Sequence, residues 1–181
     1  MKIDLAFWTK ASTMHKRIYT FLFILVVAII LTAVSALVPI SHNTATQIYN
    51  QLNESVSQQK ASGTVPQYIF LNNFRICLIM FIPIVGPAFG VVSFVSTGYD
   101  LGGISRALGI SPPVYMFAEF FNPIFWIEFT AYSVAIAESI WLYRRLMQKR
   151  YGELKNAAIL IGVCAVLLAV GAIVESMLPL V

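Results

Sequence analysis

Charged residues are scarce in this chain: they make up 11% of its 181 residues, whereas soluble domains carry about 25%. Hydrophobic residues make up 59% of the sequence, and the mean hydropathy is +0.79. A chain of this composition would aggregate in water, which excludes an ordinary soluble domain and predicts a protein that lies in a lipid bilayer. We therefore expect a single multi-pass domain over residues 1–181, located in the cell membrane.

Cysteine and histidine are also rare, with two residues of each. Cys77 and Cys164 lie inside apolar runs without the spacing of a metal site or a disulfide framework, so we interpret them as packing residues. His15 and His42 are isolated from each other. The sequence lacks Gly-x-Ser-x-Gly, His-Glu-x-x-His, Cys-x-x-Cys and phosphate-binding motifs. With no acid–base or nucleophile constellation, we expect no enzyme activity, no catalytic residue, no metal and no cofactor.

Basic residues outnumber acidic ones by twelve to eight, but their positions argue against nucleic acid as a partner. Nine of the twelve flank apolar runs, four within residues 1–17 and five within residues 144–155. This distribution is typical of a topology signal, and only Lys60 lies in the polar stretch 41–64. The positive-inside rule predicts that the N-terminus and residues 144–155 face the cytoplasm, with the polar stretch and the C-terminus outside.

Alternating apolar and polar stretches predict an all-α transmembrane bundle of about five spans. Residues 18–40 can cross a hydrocarbon core of about 30 Å at about 1.5 Å per residue. This run is longer than the apolar region of a signal peptide, so we interpret it as a retained span. Phe7 and Trp8 in the basic tail are typical of a short interfacial helix. The predicted segments are a cytoplasmic basic tail (1–17), span 1 (18–40), an external polar loop (41–64), span 2 (65–83), span 3 (87–108), a half-helix (114–121), span 4 (123–143), a cytoplasmic basic loop (144–155) and span 5 (156–177).

The apolar stretch 67–110 is too long for one span and is interrupted near its middle. Pro83 and Gly86-Pro87 predict a helix break there, because proline lacks a backbone donor and glycine permits a turn. Asn122-Pro123 predicts a second break. Two full spans or a re-entrant hairpin would both return the chain to the outside, so the sequence leaves these two alternatives open.

Pairs of small residues recur one helical turn apart within this stretch. Gly86-x-x-x-Gly90 and Gly98-x-x-x-Gly102 allow close approach of two helices. Because such pairs are frequent in membrane helices, we expect them to pack within the chain rather than to form a dimer face.

Several charged residues lie in or beside the apolar segments, where a central charge costs about 2.5–3.5 kcal/mol. We expect Arg106, Glu138 and Glu175 to lie near the interfaces. Arg75 lies deeper, and Asp100 or Glu128 could pair with it, either to lock helices together or to line a path for protons or solutes. Asparagines at 72 and 73 could bond a neighbouring helix. The polar residues singled out as structural or functional are Asn72, Asn73, Arg75, Asp100, Glu128 and Glu175.

These features, in their order along the chain, resemble the stage II sporulation protein M family of polytopic membrane proteins. Phe70-Leu-Asn72-Asn73-Phe-Arg75 is similar to the family's opening motif, and Gly86-Pro87 and Thr97-Gly98…Gly102 follow it. Pro123-x-x-x-x-Glu128 resembles the family's Pro-His-Gly-x-x-Glu motif, with Ile124-Phe125 in place of His-Gly, and Val174-Glu175-Ser-Met-Leu-Pro179 resembles its closing motif. The resemblance implies a five-span fold. In spore formers the named member is a scaffold for cell-wall hydrolases, a role that we do not transfer to this chain.

Two functions are compatible with these observations. The first is a non-enzymatic scaffold or accessory subunit of a membrane protein complex, with other membrane proteins, in a hetero-complex or a homo-oligomer, and lipids as partners. The alternative is a transporter or channel for a small solute, an ion or a lipid, because broken helices and intramembrane charges occur together at transport sites. The absence of a visible inverted repeat favours the scaffold.

Overall fold

The computed structural model describes residues 13–177, and this part of the chain contains helices and no strand. The expected all-α class is therefore confirmed. The predicted interfacial helix around Phe7 and Trp8, and Pro179 of the closing motif, lie outside the described residues. The described helices are α1 (Thr13–Ala36), α2 (His42–Ser62), α3 (Val65–Met80), α4 (Val85–Ala107), α5 (Pro112–Glu119), α6 (Pro123–Met147) and α7 (Glu153–Met177).

Two of these helices, α1 and α7, are each long and apolar enough to cross a membrane. Helices α5 and α6 pass the same criterion as a pair, with an angle of 80° between them, so the described residues contain two or three candidate spans by length and composition. Helix α3 has 16 residues, and α4 contains five glycines together with Asp100 and Arg106. The predicted count of about five spans therefore goes beyond what composition and helix length establish.

The polar stretch 41–64 forms a helix, so its prediction as a loop was wrong about its local structure. The Oγ of Ser41 accepts a hydrogen bond from the Thr44 amide at 3.2 Å and caps the helix start. Gly63 ends the helix with a φ of 68°, a left-handed conformation that favours a residue without Cβ. Four apolar residues recur at helical spacing along α2: Ala45, Ile48, Leu52 and Val56.

The break between α3 and α4 lies at residues 81–84, slightly before the predicted position. Ile84 has a φ of 70°, and the amide that follows it donates to the Pro83 carbonyl oxygen at 2.8 Å, forming a γ-turn. Gly86 and Pro87 belong to the first turn of α4, where a missing proline N–H costs little. A glycine is required at 86 because a Cβ there would lie 2.0 Å from a backbone oxygen of α3.

The second break agrees with the predicted position, whereas the basic loop is shorter than expected. Asn122 accepts a hydrogen bond from the Ile124 amide at 3.0 Å and caps the start of α6. Helix α6 continues to Met147, so Arg144 and Arg145 lie in its last turn instead of in the predicted loop. Cationic side chains stabilise a helix C-terminus through its dipole, which explains the extension.

The longest stretch of core packing runs along α6, which contacts α1, α3, α4 and α7. Helices α3 and α6 run in the same direction, because Cys77 lies near the Ala131 oxygen and Ser139 Oγ donates to the Ile82 oxygen at 2.9 Å. Cys164 of α7 approaches the same Ala131 oxygen at 3.6 Å. Both cysteines are free and buried, as expected for packing residues.

The glycines of α4 pack against helices of the same chain. A Cβ on Gly98 would lie 2.1 Å from the Thr32 oxygen of α1, and one on Gly102 would lie 2.4 Å from the Ala36 oxygen. A Cβ on Gly90 would lie 2.3 Å from a side-chain atom of α6. The small residues thus bring α4 close to α1 and α6 within one chain.

The helix directions define two ends of the bundle. One end, called the α2 end, contains α2, the C-termini of α1, α4 and α7, and the N-termini of α3 and α6. The opposite end contains the break at 81–84 and the connection at 148–152. These two ends locate the sites described below.

Candidate functional site: a polar cavity at one end of the bundle

A cavity of about 460 Å³ lies between α2 and the helix ends beneath it. A neighbouring cavity of about 390 Å³ shares four lining residues with it: Leu52, Ile104, Glu128 and Glu175. We treat the two as one continuous space at the α2 end and call it the polar cavity.

Four carboxylates, each from a different helix, line the polar cavity. They are Asp100 of α4, Glu119 of α5, Glu128 of α6 and Glu175 of α7. None of the described residues that line this space is basic. A cleft lined by one sign of charge concentrates the opposite sign, so this cavity favours a positively charged group.

Side-chain amides hold two of these carboxylates in place. Asn73 Nδ2 donates a hydrogen bond to Glu128 Oε1 and thereby joins α3 to α6. Asn72 Nδ2 in turn donates to Asn73 Oδ1 at 3.3 Å, and Asn122 Nδ2 donates to Glu119 Oε2 at 3.2 Å. The asparagines of the opening motif therefore orient the acid of α6.

Arg75 does not belong to this arrangement. It is exposed, and no ion pair includes it within residues 13–177. The expected pairing of Arg75 with Asp100 or Glu128 is therefore wrong. Residues two apart on an α-helix point about 200° apart, so Arg75 points away from the cavity that Asn73 faces. The other five predicted polar residues line the cavity: Asn72, Asn73, Asp100, Glu128 and Glu175.

Reasoning from the sequence did not include Glu119 in the site and missed the contribution of α2. Gln51, Ser55 and Gln59 line the cavity from α2, and they were hidden because the stretch was interpreted as a loop. The apolar stripe of α2 was the available signal, since its helical spacing implies that one face of α2 packs on the bundle.

The carboxylates are spread around the wall of the cavity. Within residues 13–177, no three His, Cys, Asp or Glu side chains are grouped closely enough to hold a metal ion. The space of several hundred Å³ and its acidic lining therefore fit a cationic group larger than a bare metal ion, such as an ammonium or a guanidinium.

Packed aromatic side chains separate the polar cavity from the opposite end of the bundle. The ring centroids of Phe94 and Phe129 are 5.3 Å apart, those of Phe94 and Tyr132 are 6.4 Å apart, and all three residues are buried. Phe129 and Tyr132 lie in the part of α6 that follows Glu128, and Phe94 packs against them from α4. The cavity is thus closed by the apolar core on its inner side.

Arg106 and Glu138, two further charged residues of the apolar segments, have partners elsewhere in the bundle. Arg106 donates to the Ala36 carbonyl oxygen at 3.1 Å, which satisfies the C-terminus of α1. Glu138 is 3% exposed and lies 3.7 Å from Arg17, which also pairs with Glu153 at 2.7 Å. Glu138 lies at the charged end of the bundle with Arg17 and Glu153, but its side chain is buried at a helix contact and is not exposed to solvent.

Comparison with known proteins identifies one family. A family model described as stage II sporulation protein M matches residues 19–178. No significant match was found among curated proteins or among solved structures. The matched range includes every residue that lines the polar cavity.

Proposed function

The chain belongs to the stage II sporulation protein M family, and on this premise we propose that it is a non-enzymatic scaffold or accessory subunit of a membrane protein complex. The supporting observation is the polar cavity, which gathers polar side chains from α2 to α7 at one end of the bundle. Because packed aromatic rings close its inner side, it suits binding from one side better than passage through the protein. Its acidic lining favours a basic segment of a partner protein.

The proposed topology has five spans, α1, α3, α4, α6 and α7, with α2 and the C-terminus outside. The position of the break at 81–84 supports two spans over a re-entrant hairpin. Ser139 donates a hydrogen bond to the Ile82 carbonyl oxygen, which places the break beside the end of α6 that carries Arg145 and not at the middle of the bundle. Helices α3 and α4 then both run between the two ends of the bundle. Helix α3 would be about 24 Å long at 1.5 Å per residue, which local thinning of the bilayer can accommodate.

Cysteine labelling in intact cells tests this topology. Ser57→Cys lies on the exposed face of α2 and Ile84→Cys on the exposed break, while the native cysteines are buried and give little background. A membrane-impermeant maleimide should label Ser57→Cys from outside and Ile84→Cys only after permeabilisation. If Ile84→Cys reacts from neither side, a re-entrant hairpin replaces the two spans.

Retention of a partner tests the scaffold role. The full chain is extracted in mild detergent, and co-purifying proteins are quantified by mass spectrometry. We expect a stoichiometric partner whose retention falls about tenfold in Glu128→Gln, since a charge-assisted contact is worth at least that factor. Glu54→Gln is the matched control, because Glu54 is exposed and does not line the cavity. Recovery of the chain alone under these conditions contradicts the proposal.

Transport of a cationic solute is the second candidate, and the four carboxylates of the polar cavity favour it. Reconstitution into liposomes separates it from scaffolding. Cation flux that is abolished in Glu128→Gln and preserved in Glu54→Gln would support transport. The absence of flux for inorganic and organic cations in the wild-type protein would rule it out.

A further inference from the structure

An apolar groove of about 300 Å³ lies between α1 and α6 at the end opposite the polar cavity. Ile18 and Phe21 line it from α1, Val134 and Ala137 from α6, and Leu160 from α7. On α1 and α6 the lining residues recur three and four positions apart, so one face of each helix is turned toward the groove. Met14, Arg17, Glu138 and Trp141 complete the lining given by the described residues, at the end where the charges lie.

Glu138 lines this groove and carries a buried oxygen without a hydrogen-bond partner in the described part of the chain. Its side chain is 3% exposed, and its Oε1 atom has no hydrogen-bond partner among the described residues. The other oxygen, Oε2, lies 3.7 Å from Arg17 Nη1, and the Nε of Arg17 is likewise buried without a partner. Buried polar atoms almost always have a hydrogen-bond partner, because a buried atom without one loses the hydrogen bonds that it makes to water in the unfolded chain. This loss of free energy is larger for a charged group than for a neutral one. A ligand in this groove should therefore offer a hydrogen-bond donor to Glu138 and a hydrogen-bond acceptor to Arg17.

Within the ion-pair network beside the groove the charges balance, and Arg144 lies outside this network with its guanidinium 5.6 Å from the centre of the Trp141 ring. Arg17, Arg145, Glu138 and Glu153 form a network with N–O distances of 2.7, 3.7 and 3.9 Å and a net charge of zero. An anionic ligand would add negative charge beside two carboxylates, and a cationic one would add positive charge beside two guanidiniums. A zwitterionic ligand leaves the balance unchanged, with its cation toward Glu138 and its anion toward Arg17.

We propose that this groove binds a phospholipid with a primary ammonium headgroup, of the phosphatidylethanolamine class. The ammonium donates to Glu138 Oε1, the phosphate accepts from Arg17, and an acyl chain packs along the apolar lining. The charged residues Arg17, Arg145 and Glu153 at this end of the groove support a location at the headgroup level, since charged side chains near helix ends lie at the membrane interface. This inference needs only the membrane location of the chain and is independent of its role as a scaffold.

Competition between two lipids that differ only in their N–H donors tests the proposal. The full chain is placed in nanodiscs of phosphatidylglycerol that contain equal small fractions of phosphatidylethanolamine and phosphatidylcholine with identical acyl chains. Lipids that remain bound after mild detergent release are counted by native mass spectrometry. We expect about tenfold more phosphatidylethanolamine, because the methylated choline cannot donate to Glu138. Equal retention of the two lipids in the wild-type protein overturns the proposal.

Two variants locate the bound lipid. Glu138→Gln should reduce the headgroup preference to less than about twofold, because the ion pair with the ammonium is lost, whereas Glu54→Gln should leave it unchanged. Ala137→Phe should exclude both lipids by filling the groove, with Val166→Phe on the exposed side of α7 as its control. Melting curves establish that each variant is folded. If a variant does not fold, the competition of the two lipids for the wild-type protein still tests the proposal.

A photoreactive residue at position 137 identifies the occupant directly. Cross-links to the phospholipid support the proposal. Cross-links to residues 1–12 of the chain, or to a second copy of it, would show that protein fills the groove and would overturn the proposal.

Discussion

Replacement of Gly98 by alanine tests whether the small residues of α4 serve contacts within the chain. A Cβ at this position would lie 2.1 Å from both the Thr32 carbonyl oxygen and the Ser35 Oγ of α1. Ordinary van der Waals contact begins at 3.4 Å, so α1 and α4 must separate by about 1.3 Å to remove the overlap. Backbone atoms of two long helices cannot move this far without loss of neighbouring contacts.

The cost of Gly98→Ala follows from two contributions. Overpacking of a close contact costs about 1–3 kcal/mol. Separation of the helices also weakens the bond from Thr32 Oγ1 to the Phe94 oxygen, now 3.2 Å long, which is worth about 1 kcal/mol. For a chain of this size each kcal/mol lowers Tm by about 2–4 °C. The better helix propensity of alanine offsets about 1 kcal/mol of this cost, so we expect a net loss of about 1–3 kcal/mol and a fall in Tm of about 2–12 °C.

The matched control is Gly162→Ala in α7, where no atom lies within 4 Å of an added Cβ. Alanine is the better helix former by about 1 kcal/mol, so this variant should melt at the wild-type temperature or slightly above it. Thermal unfolding of both purified variants in detergent, followed by size-exclusion chromatography, provides the measurement. Equal Tm values for the two variants would refute the packing argument. A change of oligomeric state without a change of monomer stability would assign Gly98 to an intermolecular contact.

Four further substitutions can be measured in the same assay. Ile84→Gly should raise Tm, because it removes the strain of a β-branched residue at a φ of 70°, about 1–3 kcal/mol, at a smaller entropic cost; an unchanged or lower Tm would contradict this. Asn73→Ala should cost about 1–2 kcal/mol through loss of the bond to Glu128, and Asn72→Ala clearly less, since its bond is exposed; equal losses would argue against the proposed role of Asn73. Arg75→Ala should leave Tm unchanged or raise it, because Arg75 is exposed and belongs to no ion pair within residues 13–177, and a charge on the outer face of a membrane-spanning α3 costs free energy; a large loss of stability would reveal a partner for this residue.

Much of the fold could be predicted because its signals are local. The apolar runs and the Asn122-Pro123 break both act within a few residues, and the helix boundaries follow them closely. The first break was predicted a few residues too late, because proline and glycine occur both in turns and in the first turn of a helix or at close helix contacts. Pro87 is tolerated in a first helical turn, and Gly86 is there to permit close approach to α3. Only the positions of neighbouring helices distinguish these uses from a turn.

For the polar residues, too, the sequence revealed which residues are unusual, while the packing of the helices decided their partners. Burial cost identified the intramembrane acids and asparagines as unusual, and five of the six selected residues line one cavity. Their partners were assigned incorrectly because an ion pair depends on which faces of two helices meet. Arg75 was expected to pair with an acid, whereas Asn73 donates a hydrogen bond to Glu128, and Arg17 forms ion pairs with Glu138 and Glu153.

The sequence by itself determined that this chain is an all-helical membrane protein of the stage II sporulation protein M family. Composition and hydrophobic length act residue by residue, and the order of the family motifs is written along the chain. Only the tertiary structure decided that α2 covers an acidic cavity, that the glycines of α4 pack against helices of the same chain, and that Glu138 lies buried beside an apolar groove. Each of these depends on the direction and register of helices that are distant in sequence, and side-chain periodicity alone does not determine either.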